Sequence, residues 1–147
     1  MSETSAEISD NKIKHLEFIQ GVIERMAAES ARMKRFALIS GAVIMSTATA
    51  TNTWYLAVVG VLIWFVFWAM DAKYLTQERW FRDLYDHVRQ PETPVDFSIS
   101  PNAEIKDRNH LSEALVGWSI WPFYSSLIAI SLLIAIAIAL KVGSSVP

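Results

Sequence analysis

Five charged residues near the middle of the chain are the strongest candidates for a binding site, because they are spaced one helical turn apart. Glu78 and Arg82 are four residues apart, as are Arg82 and Asp86, and Arg79 stands four residues before Asp83. Residues at this spacing share a helical face, so the arginines can bind an anionic ligand or a protein partner there. The same spacing is typical of a solvated ladder of ion pairs, and the sequence favours the ladder.

The other ionisable residues form no catalytic or metal-binding pattern. His15, His87 and His110 lie in three separate segments, and the chain contains no cysteine. It has no phosphate-binding, dinucleotide-binding or zinc-protease motif, so we expect no enzyme activity, no metal and no cofactor. The formal net charge of −2 offers no general attraction to nucleic acid.

The charges are strongly segregated along the chain. No charged residue or histidine lies between Arg35 and Asp71, or between Glu113 and Lys141, and 52% of all residues are hydrophobic. A small soluble protein would expose too much apolar surface with such runs, whereas about 20 apolar residues cross the core of a bilayer. The composition therefore predicts an integral membrane protein.

The first apolar region, 36–70, is too long for one upright span. Its middle is rich in threonine and contains Asn52, which predicts a hairpin with spans 36–51 and 54–70. Small residues in the first span suit close helix packing. Ala48-Thr49-Ala50 also resembles a signal-peptidase site, but the long, charge-balanced segment before it is wrong for a signal peptide.

Amphipathic helices are predicted on both sides of the hairpin. After a flexible N-terminus (1–9), Asp10 begins a helix over 10–35, and the second span continues as a helix over 71–90. We expect these two helices to pack together as a cytoplasmic stalk; the alternative is that 10–35 lies flat on the membrane. The facing apolar stripes are Ile13, Leu16, Ile19, Ile23 and Met26 against Tyr74, Phe81, Leu84 and Val88.

The remaining chain is predicted to be a loop, one more span and a tail. Proline-rich 91–113 is a cytoplasmic loop, in which Val95, Phe97 and Ile99 alternate with polar residues as in a short extended segment. A third transmembrane helix with an interfacial start covers 114–141, with Pro122 in its first turn. The tail is 142–147. The predicted fold is an all-α membrane protein, a long antiparallel helical hairpin with a third transmembrane helix.

Basic residues set the expected orientation. Lys34 and Arg35 precede the first span and Lys73 follows the second, while the turn between them carries no charge. The positive-inside rule places the N-terminus and the stalk in the cytoplasm of a bacterial inner membrane and the C-terminus outside, with Lys141 as one contrary charge. Asp71 is expected at the membrane interface, the alternative being a water-filled pore.

Three stretches resemble a family of small, largely uncharacterised bacterial inner-membrane proteins. They are Asn11–Met26, Gln77–Arg89 and Asp96–Ile99. The resemblance extends to about Ser100 and weakens through the third span. Family members commonly have Asn-Ser-Phe and Lys-Gly-Trp before the first span, whereas this chain has Glu29–Phe36 there. The resemblance implies the same layout, and it carries over no functional residue.

The sequence supports two kinds of function. One is a non-enzymatic, self-assembling membrane protein that perturbs the membrane, with the bilayer and copies of itself as partners. The other is a membrane anchor or adaptor that docks a cytoplasmic protein partner through its stalk, where Glu78, Arg79, Arg82 and Asp86 are the candidate contacts. An intramembrane enzyme or transporter is disfavoured because the spans carry no buried charges.

Overall fold

A computed structural model describes residues 2–91, 93, 96–107 and 110–144, and within them the chain is helical with no strand. The helices are α1 (Ser2–Ala50), α2 (Trp54–Arg89), α3 (Ala103–Asp107), α4 (His110–Leu115) and α5 (Trp121–Ser144). The all-helical prediction is confirmed. Two of these helices, α2 and α5, are long and apolar enough to cross a membrane.

Helix α1 is one unbroken helix of 49 residues. It begins at Ser2, ahead of the expected start at Asp10, because residues 2–9 contain neither glycine nor proline to end a helix. The predicted first span, 36–51, is the last part of this helix and the start of the turn after it. Because only 15 residues of α1 follow Arg35, against the about 20 that cross a bilayer core, α1 is not among the helices long and apolar enough to span a membrane.

A tight turn over Thr51–Thr53 connects α1 to α2, where the sequence predicts it. Asn52 adopts a left-handed conformation with φ of 50°, which asparagine tolerates better than most residues. The amide of Thr53 donates to the carbonyl oxygen of Ala48 over 2.9 Å, so the last turn of α1 is closed by the chain that leaves it.

Helices α1 and α2 pack on each other at three heights. Nearest the turn, Ala48 and Ala57 are both fully buried in one apolar cluster. In the middle Ala37 packs in a cluster with Val61 and Trp64. At the charged ends, four residues of the expected stripes form a core, to which α3 adds Ile105; these four are Ile19, Ile23, Leu84 and Val88.

Burial at the charged ends stabilises the helix pair, since each large aliphatic side chain there contributes about 1.5–3 kcal/mol. Ile13, which the sequence pattern places in the same stripe, is instead 53% exposed.

The segment 91–113 is more structured than a loop. It contains α3 and the start of α4, and the side chain of Asn102 caps α3 by accepting the amide of Ile105 over 2.9 Å. The expected extended segment is wrong at Phe97, whose φ of 54° is left-handed. Val95 lies outside the described residues. Phe97 is held instead by its ring contact with His15, with centroids 5.6 Å apart.

Helix α5 begins at Trp121 with Pro122 in its first turn, as expected for a proline at a helix start. The segment before it, which the sequence assigned to the same helix from residue 114, contains α4 and a turn closed by Gly117. The helix extends to Ser144, into the predicted tail, and packs mainly on α2.

Candidate functional site

Asp71 is the centre of a buried polar cluster between α1 and α2. Its side chain has no exposed surface, accepts a hydrogen bond from Ser30 Oγ at 2.5 Å and lies 2.6 Å from Lys34 Nζ. Lys34 also donates to Ser30 Oγ over 3.1 Å. We call Ser30, Lys34 and Asp71 the Asp71 cluster. The expected interface position of Asp71 stays a prediction, and the structure adds that its carboxylate is completely covered within the protein.

The helical spacing of α1 explains why two groups reach the same carboxylate. Ser30 and Lys34 are one turn apart and share the face that α1 turns towards α2. A carboxylate withdrawn from water is tolerated only when it is paired and hydrogen-bonded. The Lys34 side chain keeps 20% of its surface exposed, so its stem is buried while the ammonium group faces Asp71 near the protein surface.

Helix α5 brings Tyr124 to the same cluster. Tyr124 is fully buried, and its ring stacks on Trp68 with centroids 6.3 Å apart and planes 7° apart. Its hydroxyl lies beside Asp71 but has no hydrogen-bond partner among the described residues. The indole of Trp68 donates to the carbonyl oxygen of Leu115 over 3.2 Å. Three helices and the end of α4 therefore meet around one carboxylate.

Trp64 fills the interior between the same three helices, two turns from Asp71. It is 3% exposed and its Nε1–H donates to Ser131 Oγ over 2.9 Å. A Cβ on Gly41 would lie 1.8 Å from the Trp64 ring, so only glycine lets α1 approach the indole face this closely. Like the Asp71 cluster, Trp64 connects α1 and α5 to α2.

The residues that the sequence singled out do not converge on one site. Glu78 pairs with Arg82 at 2.6 Å, as the ladder predicts. Arg79 reaches across to Glu113 at 3.2 Å, and Asp86 lies 3.9 Å from Arg89 rather than forming the expected pair with Arg82.

The candidate contacts Glu78, Arg79, Arg82 and Asp86 also differ in how exposed they are. Glu78 is 7% exposed, whereas the side chains of Arg82 and Asp86 are more than 60% exposed. Of these residues, Arg82 and Asp86 are the ones exposed enough to contact a partner.

His15 is the histidine with a structural partner in the described part of the chain. It is fully buried, and its Nε2 lies 3.0 Å from the carbonyl oxygen of Ser98. His87 is exposed at the end of α2, and the side chain of His110 lies outside the described residues. No group of three histidine, aspartate or glutamate residues that could hold a metal ion occurs among the residues described.

Comparisons with family models, with curated proteins and with solved structures find no match for this chain. The resemblance to small bacterial inner-membrane proteins therefore stays an expectation from the sequence, and the functional argument depends on the geometry alone.

Proposed function

We propose that the protein is an integral membrane protein whose apolar helices form a three-helix bundle, α2 and α5 with residues 36–50 of α1. The observation that carries this proposal is the outward-facing apolar surface. Val43, Leu62 and Leu133 are each more than 60% exposed, and the apolar windows of α2 and α5 are only 33% and 22% buried. Core helices of a soluble protein would be covered, whereas lipid covers these surfaces in a bilayer.

Charge distribution supports a bacterial inner-membrane location with the N-terminus in the cytoplasm. Lys34, Arg35 and Lys73 lie at the level of the Asp71 cluster, at one end of the bundle. The other end carries the uncharged turn and the contrary Lys141, whose Nζ contacts Asn52 Oδ1 at 3.0 Å. The positive-inside rule then puts the charged ends of α1 and α2 in the cytoplasm as a stalk and the C-terminus outside.

The geometry favours a non-enzymatic anchor or adaptor that presents this stalk to a cytoplasmic protein partner. The buried polar side chains of Ser30, Asp71 and Ser131 join helices to one another. Arg82 and Asp86 are exposed on α2, away from the core. Several small residues of α1 that suggested self-assembly are used within the chain. Gly41 receives Trp64, and Ala37 and Ala48 are fully covered.

Self-assembly with perturbation of the membrane is the second candidate. One observation favours it: Ala42, Ser46 and Ala50 remain exposed at four-residue intervals on α1. Small residues at this interval allow two transmembrane helices to approach closely. The two candidates differ in what the purified protein does alone, because only self-assembly requires contacts between copies.

The chain lacks cysteine, so a single introduced thiol tests the membrane placement cleanly. We expect Asn52→Cys to react with a membrane-impermeant maleimide in spheroplasts, and Asp86→Cys to react only in inverted vesicles. Equal labelling of both variants in both preparations contradicts a membrane-crossing bundle, and the reversed pattern contradicts the orientation.

A photo-crosslinking amino acid at position 86 separates the two functions. The anchor proposal expects an adduct with a different chain, obtained from position 86 and not from lipid-facing position 62. Self-assembly expects a dimer-sized adduct of the protein alone, ion flux in liposomes, and loss of the oligomer in detergent for Ala42→Leu/Ser46→Leu. A monomer with tight liposomes rules self-assembly out, and adducts with itself alone count against the anchor.

A further inference from the structure

A groove of about 780 Å³ opens between the charged ends of α1 and α2 and the chain that follows them. We call it the Trp80 groove. It is lined by Trp80 and Phe81 of α2, by Val22 and Met26 of α1, and by the segment Ser98–Pro101. The volume lies within the range of sites that hold small organic molecules.

The charged residues that the structure describes in the lining of the groove are both basic. Arg25 of α1 and Lys106 of α3 line it, and none of its described lining residues is acidic. Neither cation has an ion-pair partner among the side chains that the structure describes, whereas Lys34, Arg79 and Arg82 all do. Two cations on different elements attract an anion into the space between them.

Trp80, which lines the groove, carries a hydrogen-bond donor that is covered in this structure. The Nε1–H of Trp80 is buried and has no acceptor within the described chain. A buried donor without an acceptor costs about 1–3 kcal/mol, so such groups are usually satisfied by solvent or a ligand. Gln77 lines the groove one turn before Trp80 and adds a side-chain amide.

A buried side chain holds the segment Ser98–Pro101, which lines the groove, in place. The fully buried His15 binds the carbonyl oxygen of Ser98, and the amide of Ser98 donates to Asp96 Oδ1 over 2.9 Å. His15 is therefore a positioning residue for the groove, since it attaches Ser98–Pro101 to α1 without lining the space itself.

We infer that the Trp80 groove binds an organic phosphate with an apolar body. Phosphate suits the guanidinium of Arg25 and the point charge of Lys106 better than a single carboxylate does, because it presents several charged oxygens at once. A bare phosphate ion would leave most of the volume empty, and the apolar lining of Val22, Met26, Phe81 and Ile99 matches a hydrocarbon or aromatic group.

Two sources share this chemistry. In the proposed membrane placement, Gln77 stands about 9 Å beyond Asp71 at 1.5 Å per residue, close to the phosphate groups of the cytoplasmic leaflet. A phospholipid is therefore one source, and a soluble phosphate ester is the other. The groove and its charge are independent of the membrane assignment, and only the lipid source depends on it.

The test is native mass spectrometry of the full chain, released from detergent in the presence of defined probes. Dioctanoyl phosphatidic acid and dioctanoylglycerol differ in the phosphate alone, and phenyl phosphate represents a soluble ester. We expect phosphatidic acid or phenyl phosphate to remain bound and dioctanoylglycerol to be lost. Retention of only the lipid or only the ester identifies the source; retention of neither, or of dioctanoylglycerol equally, overturns the inference.

Variants show whether the probe occupies this groove. Arg25→Gln/Lys106→Gln removes both cations and should lower retention about tenfold or more, because two charge-assisted contacts are lost. The control Lys14→Gln/Arg89→Gln removes two exposed cations outside the groove and should leave retention within about twofold, since exposed pairs contribute little. Equal losses in both variants refute a specific site.

Trp80→Phe keeps the ring and removes the donor, so it should give a smaller loss than the double variant. The far-UV circular dichroism of each variant must match that of the unchanged chain. No loss in Arg25→Gln/Lys106→Gln at native helix content also refutes the site.

Discussion

Among substitutions that remove the charge of one lysine or arginine side chain, Lys34→Met should destabilise the protein most. Methionine keeps much of the apolar stem and removes the ammonium group that lies 2.6 Å from Asp71 Oδ2. The Asp71 carboxylate then stays buried with Ser30 as its remaining partner. Removing one member of a buried ion pair costs about 3–5 kcal/mol. Because one fifth of the Lys34 side chain is exposed, we expect the lower end, about 3 kcal/mol.

Thermal unfolding in mild detergent measures this loss. At about 2–4 °C per kcal/mol for a chain of this size, Lys34→Met should lower Tm by about 6–12 °C. Lys73→Met is the matched control, because Lys73 is exposed two residues from Asp71 and an exposed substitution changes stability by about 0.5 kcal/mol or less.

The double variant Lys34→Met/Asp71→Asn gives the decisive comparison. With no charge left to bury, it should recover most of the loss and lie within about 1 kcal/mol of Asp71→Asn alone. The reasoning is refuted if Lys34→Met unfolds at the same temperature as Lys73→Met. It is equally refuted if the double variant loses the sum of the two single losses, because the groups would then not be coupled.

Three further substitutions test the packing that surrounds the cluster. Gly41→Val should abolish folding or lower Tm severely, because its side chain would occupy the space of the Trp64 ring; normal unfolding would mean that the helices are further apart. Ser131→Ala should cost about 1–3 kcal/mol by leaving the buried Trp64 indole N–H without its acceptor, visible as a drop in Tm. His15→Leu should speed proteolysis near Ser98 while leaving the unfolding of the bundle unchanged, and unaltered cleavage would show that the segment does not depend on this contact.

The helix pair follows from two features of the sequence, a threonine-rich break and apolar periodicity. The break around Asn52 predicts the turn, and the 3.6-residue period selects Ile19, Ile23, Leu84 and Val88 as a core. The periodicity places Ile13 in the same stripe, but it is exposed and lines an open groove with Leu16 and Tyr85.

The Asp71 cluster was missed, although the predicted turn contains a signal for it. Residues equally far from Asn52 on two adjacent antiparallel helices lie at equal heights. Lys34 is 18 residues before Asn52 and Asp71 is 19 after it, and Gly41 and Trp64 are 11 before and 12 after. Counting outward from the turn therefore aligns each pair. It does not give the rotation of each helix about its axis, which decides whether the side chains face each other.

The sequence does not predict where α5 packs or which path residues 96–101 follow. A uniformly apolar helix such as α5 presents no stripe to indicate which side packs inward. The inward side carries Tyr124, whose ring stacks on Trp68, and Ser131, whose hydroxyl accepts from the Trp64 indole. The left-handed Phe97 depends on a contact with His15, more than eighty residues away.

The unbroken length of α2 has a mechanical consequence for the proposed membrane placement. Asp71 stands 17 residues from Trp54 and 18 from Arg89, so the two arms of the helix are about 26 and 27 Å long at 1.5 Å per residue. With the buried Lys34–Asp71 ion pair as the pivot, a sideways force on the stalk would tilt α2 as a rigid rod. The turn on the far side of the membrane would then move by an equal distance in the opposite direction.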